Sequence, residues 1–150
     1  MGGPWYGEDF ARLIFEGEAK RYFPDLSSIT ITSNHNAGRR YRLTVNVPHY
    51  EARRVRILFR KDSPKIPRVS VDGPDDSKHR FSSGDLCMWY HEDPVENQWV
   101  FEDGLVSLIG HIIAHLFREA WYRETGEWSG PEVSHSKIEP ESADQKGVQQ

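Results

Sequence analysis

The chain has 150 residues, 37% of them hydrophobic and 28% charged, which fits one globular domain able to bury a core and excludes general disorder. Its formal net charge is −4, from 19 basic and 23 acidic residues, and the basic residues look scattered among acids, so no nucleic-acid partner is expected. No apolar run reaches the length of a membrane span, so no membrane partner is expected either. The single cysteine cannot close an internal disulfide, and the opening MGGPWYGEDF lacks the basic and apolar regions of a signal peptide, so a cytoplasmic location is expected.

Residues 1–7, rich in Gly and Pro, are expected to fray. The spacing from Glu8 to about Tyr22 predicts a helix, with Phe10, Leu13, Ile14 and Gly17 on one face and Arg12, Glu16, Glu18 and Lys20 on the other. Pro24 ends it. Ser28 to Ser33 alternates Ile29 and Ile31 with threonines, the period of a half-buried strand. Asn34 to Gly38 is rich in residues that tolerate positive φ and reads as a turn. Tyr41 to Val47 alternates again and completes a hairpin. Arg53 to Arg60 makes a third strand with Val55, Ile57 and Phe59 on one face, and Pro67 to Val71 a short fourth. Arg39, Arg40, Arg53 and Arg54 are taken as solvated strand ends.

A last helix opens at Glu102 or Asp103 and runs to about Arg123. Leu105, Leu108, Ile109, Ile112, Ile113, Leu116 and Phe117 form its apolar stripe, extended by Ala120 and Trp121. His111 and His115 fall on what reads as the wetter side. They lack a third ligand, so no metal site is assigned. Trp128 is placed to fold back onto the body. From Pro131 onward large apolar residues almost vanish, which predicts a disordered tail over 131–150 behind a domain over 1–130. The order predicts an α+β fold: an N-terminal helix, a four-stranded antiparallel meander, a long loop and a C-terminal helix over one sheet face.

The loop carries the chemistry-bearing residues. Cys87 is the only cysteine, with Gly84 three residues before it and His79 upstream. A lone thiol in such a loop is a candidate nucleophile, although free cysteine also commonly serves as a small packed hydrophobe. Gly84 suits a turn and also leaves room beside the thiol. The acidic turn His91 to Pro94 is either solvated or, through Asp93, able to take a proton from or hold an incoming amine. Trp89 can pack the loop or face a partner.

The order of these residues resembles the ubiquitin-conjugating (E2) family and its UBC-like fold. Pro64 and Pro67 are similar to the family's proline turn, and His79 sits where the family histidine sits. Gly84 to Cys87 is similar to the Gly-x-x-Cys that carries the active-site thiol, and Trp99 fits the tryptophan ahead of the helix. His79 is followed by Arg80 and Phe81, so the family's asparagine is missing. That segment, with Trp99 to Gly104 and Thr125 to Trp128, looks more like the bacterial E2-like proteins of CBASS anti-phage operons.

The resemblance implies an acyltransferase that holds its donor as a thioester on Cys87 and needs no cofactor. The implied donor is a ubiquitin-like protein or the C-terminus of a cGAS-like nucleotidyltransferase, supplied with or without an E1-type activating enzyme. It implies a sulfur presented at the surface, with Gly84, Asp85 and Trp89 around the bound chain. His79 would act as a loop brace or in proton transfer. The missing asparagine's role would fall to Asn97, His79 or a backbone N–H near Cys87. A non-catalytic adaptor of the E2-variant kind and a cysteine hydrolase using Cys87 with His79 are the rival readings.

Overall fold

The computed structural model describes residues 3–89, 93–94, 96 and 98–129. The tail expected over 131–150 lies outside them. In chain order the elements are α1 (Asp9–Glu16), α2 (Ala19–Tyr22), β1 (Ser27–Ile31), β2 (Gly38–Val45), β3 (Arg53–Arg60), β4 (Pro67–Val71) and α3 (Gly104–Thr125). The strands form one antiparallel sheet in the order β1-β2-β3-β4. This is the α+β, UBC-like arrangement that the sequence predicts. No helix among the described residues is long and apolar enough to cross a membrane.

Alternation along the strands builds the core. Register pairs Tyr41 with Ile57 and Ile57 with Val69, so the buried rows of β2, β3 and β4 line up on one face. Onto that face α3 lays Leu105, Leu108, Ile109, Ile112 and Leu116, all fully buried. Burying each of these side chains contributes about 1.5–3 kcal/mol before the entropy of ordering is counted.

The N-terminal segment departs from expectation. Trp5 and Tyr6 are buried rather than frayed. The Trp5 ring lies 4.7 Å from Phe15, 5.5 Å from Phe59 and 5.0 Å from Phe101, and its indole N–H donates to the Pro64 carbonyl. The expected single helix is two, separated at Gly17. It also presents the opposite face. Phe15 and Ala19 are buried, whereas Phe10, Leu13 and Ile14 are 71%, 63% and 64% exposed. Polar pairing sets this rotation. Glu16 accepts from Arg39 at 3.1 Å and from the Tyr41 hydroxyl at 2.7 Å, which requires the 15–16 side of α1 to face the sheet.

Strand β1 is turned over for a related reason. Its register places Ile29 opposite Arg40 and Thr30 opposite Arg39. The isoleucines therefore share the outer face with Arg40, and Thr30 and Ser28 accept hydrogen bonds from Arg39. Arg39 is thus tied down rather than solvated.

Gly38, where β2 begins, has φ +151°, and a Cβ there would sit 2.0 Å from the Phe59 carbonyl oxygen. No side chain fits without moving β3. Gly38→Ala is expected to lower unfolding stability by at least about 2 kcal/mol, read by urea denaturation. An unchanged midpoint would contradict the close β2–β3 approach.

Candidate functional site

Beyond β4 the chain forms a small hairpin that ends in the thiol. The Phe81 N–H donates to the Asp85 carbonyl at 2.9 Å and the Gly84 N–H to the Phe81 carbonyl at 2.8 Å, while Arg80 and Leu86 form a bridge. The Leu86 N–H donates to the Val69 carbonyl and the Cys87 N–H to the His79 carbonyl, each at 2.9 Å. These two amides are therefore paired within the fold. Gly84 has φ +94° and open space where a Cβ would be, so its turn conformation, and not crowding, calls for glycine.

The Cys87 residue is only 4% exposed, contrary to the expected surface sulfur. Its Sγ faces the Trp89 carbonyl at 4.0 Å. Burial, reinforced by the negative charge of Asp93, pushes the thiol from 9.0 up to about 12. Both causes disfavour the anion, so the resting sulfur is protonated at neutral pH.

A buried polar network holds the hairpin against α3. Arg80 donates to both Glu119 oxygens, Nε to Oε2 at 2.6 Å and Nη2 to Oε1 at 2.8 Å, and Nη1 donates to the Gly84 carbonyl at 2.7 Å. Both side chains are almost fully buried. His115 Nε2 lies 3.2 Å from Glu119, which places this histidine inside the protein and not on a wet face. Burial alone would raise the Glu119 carboxyl, but hydrogen bonds and charge from Arg80 and His115 hold it at about 2 against an ordinary 4.5. Arg53 is also buried rather than solvated. It donates to the Asp72 carbonyl and, at 3.2 Å, to that of Pro74, which also accepts from Arg80 at 3.3 Å.

His79 is buried at φ +66°, its ring 4.2 Å from that of Trp128 and 6.4 Å from that of His115. Its ring packs against the returning Trp128, and its carbonyl accepts from the Cys87 amide. Trp89 packs 5.6 Å from His111 and 6.3 Å from Trp99. Trp99 is 3% exposed and donates to the Gly104 carbonyl at 2.9 Å, Pro64 caps the Trp5 indole, and Pro67 starts β4 opposite Phe59. The Asp93 carbonyl accepts from Gln98 at 2.7 Å. Asp85 is partly buried within the hairpin. Asn97, His91 and Glu92 lie outside the described residues. No three His, Cys, Asp or Glu side chains gather for a metal among the described residues.

The sequence reading missed Arg80 and Glu119. The signal was an acid seven residues after Ile112, on the line of the apolar stripe. The stripe's expected extension through Trp121 fails, since that residue is 37% exposed.

The family model of the Type II CBASS E2 protein matches residues 16–136. No curated protein and no solved structure matches the chain.

Two measurements check this site. Glu119→Ala leaves Arg80 buried without a counter-charge and is expected to cost about 3–5 kcal/mol at neutral pH. The folded-state carboxyl is depressed, so its contribution is present above about pH 4.5 and is lost as pH falls toward about 2. The gap between wild type and variant in denaturant unfolding should close over that window. Alkylation of native Cys87 should keep accelerating with pH beyond 9, and at neutral pH run far below the rate in the unfolded chain, which holds roughly a thousandfold more thiolate. A plateau near pH 9 in the native protein would contradict the buried thiol.

Proposed function

The chain belongs to the Type II CBASS E2 family, which gives it an E2-like role in CBASS defence, and from that premise we propose that Cys87 carries an acyl group as a thioester. The observation that carries the reading is the placement of the chain's one cysteine at the end of the hairpin, anchored through His79 and Val69. The thiolate attacks the activated carboxyl carbon of the donor's C-terminus. A C–S bond forms and the activating group leaves. A target amine then attacks the same carbon, the C–N bond forms, the C–S bond breaks and the thiolate is regenerated. The proposed donor is a ubiquitin-like protein or the C-terminus of a cGAS-like nucleotidyltransferase, supplied with or without an E1-type activating enzyme.

The buried, protonated sulfur sets a condition on this chemistry. Donor docking must both uncover Sγ and accept or displace its proton. Asp93 opposes the thiolate, so its useful charge acts in the second step, on the incoming ammonium or its proton. Proton transfer of this kind requires hydrogen-bond reach to the amine.

The same burial favours a second reading, a non-catalytic adaptor that binds the partner without forming a bond. One experiment separates them. The protein, donor, ATP and activating enzyme are incubated and resolved without reductant. A thiol-sensitive adduct that Cys87→Ala abolishes supports the enzyme, and pathway activity intact in Cys87→Ala supports the adaptor. Asp93→Asn is expected to speed alkylation of Cys87 a few-fold by removing a neighbouring negative charge. It should slow discharge of the preformed thioester onto an amine, checked by single-turnover assay. Unchanged discharge would remove Asp93 from the mechanism.

A further inference from the structure

The arginines that look scattered in the sequence are gathered by the fold. Alternate side chains of a strand share a face. Arg40 and Arg42 from β2, Arg56 and Arg60 from β3, and Arg68 from β4 therefore all line one concavity on the sheet face turned away from α3. Its volume is about 290 Å³, and Asp85 is the only carboxylate among its lining residues. Arg42 and Arg56 are direct cross-strand partners, an arrangement in which like charges repel.

Little on the protein answers this charge. Arg60 lies 3.7 Å from Asp62, and Arg56 approaches the Ser70 hydroxyl at 3.4 Å. Among the described residues no ion pair involves Arg40, Arg42 or Arg68. Desolvation, then the charges of Arg42 and Arg56, lowers the Arg40 guanidinium below its ordinary value. Asp85 feels the same field. Burial raises its carboxyl, while a hydrogen bond from Ser83 and the charges of Arg68, Arg80 and Arg56 act against that rise.

We infer that this concavity binds a compact oligophosphate. Planar guanidinium forks match phosphate oxygens two at a time. The volume lies at the lower end of the range for small-ligand sites, roughly 300 Å³. Five cations around one hollow suit a dense anion better than an extended acidic peptide, which would call for a stripe. The lining holds no aromatic side chain, so there is no ring platform for a nucleobase, and the phosphate chain is the recognised part. This reading is independent of thioester chemistry at Cys87.

The test is calorimetric titration of the full chain with tripolyphosphate, with ATP and with a hexaglutamate peptide, at low and high salt. Tripolyphosphate should bind, lose affinity steeply with salt, and raise the melting temperature. The double variant Arg42→Gln/Arg56→Gln should bind it at least about tenfold more weakly, a difference of about 1.4 kcal/mol. Without ligand at low salt that variant should melt no lower than wild type, because a repulsive pair has been removed. Arg68→Gln gives an independent single-site check and should also weaken binding. ATP binding as tightly as tripolyphosphate marks the phosphate chain as sufficient, whereas ATP binding much more tightly would show recognition of the base and overturn the inference. Absence of tripolyphosphate binding, equal affinity in the variants, or binding of hexaglutamate alone would overturn the inference.

Discussion

The ion pair between Arg80 and Glu119 is the constraint on which the thiol's surroundings depend. It joins two parts of the chain that are distant in sequence, the hairpin after β4 and the far half of α3. Taking both charges out of water is expensive, and such pairs often contribute little net stability compared with an apolar replacement of the same shape. What this pair supplies is geometry. The same guanidinium that meets Glu119 also donates to the Gly84 carbonyl and, together with Arg53, to that of Pro74, so it ties the turn before Cys87 to the loop before His79. Removing Glu119 would leave a buried cation, and removing Arg80 would leave a buried carboxylate and take the donor from the Gly84 carbonyl.

That rigidity has a chemical consequence. A nucleophilic sulfur works as its thiolate, yet the braced hairpin delivers Cys87 into a dry environment beside a carboxylate, where the thiolate is disfavoured. Such a thiol is sheltered from oxidants and stray electrophiles. It becomes a nucleophile only when its environment changes, which makes reactivity conditional on a partner. Burial therefore bears on when the sulfur can react as much as on whether it does. The opposition of Asp93 to the anion fits the same division, since a charge that restrains the thiolate would attract an ammonium.

Where periodicity and burial coincide, the sequence is a good guide to this structure. β3 and β4 follow the bounds that alternation predicts, and α3 follows its apolar stripe to within a turn. The failures occur where a polar partnership decides which face turns inward. Phe10, Leu13 and Ile14 look like a core face, but Glu16 must meet Arg39 and Tyr41, and the helix is rotated to suit. Ile29 and Ile31 look like a core-facing pair, but pairing with β2 puts them on the outer side, where Ile29 is exposed and Ile31 only half-buried. Trp5 carries no period in a Gly- and Pro-rich run, so its place among Phe15, Phe59 and Phe101 could not be read from spacing. Cys87 and Gly84 are visible in the sequence as a motif. The depth of the sulfur is not, because it depends on contacts made across the fold.

The two faces of the sheet obey one rule with opposite results. Alternation that puts Tyr41, Ile57 and Val69 under α3 necessarily puts Arg40, Arg42, Arg56 and Arg68 on the other side. The inner rows fix the register, and register then forces Arg42 against Arg56 whether or not that contact is favourable. Near solvent the repulsion is small, because water and salt screen it, and the apolar rows beneath outweigh it. The core can therefore hold a concentration of positive charge that the outer face alone would not assemble. An anion that bridges those guanidiniums relieves repulsion as well as gaining hydrogen bonds, so its binding and the stability of the sheet are coupled.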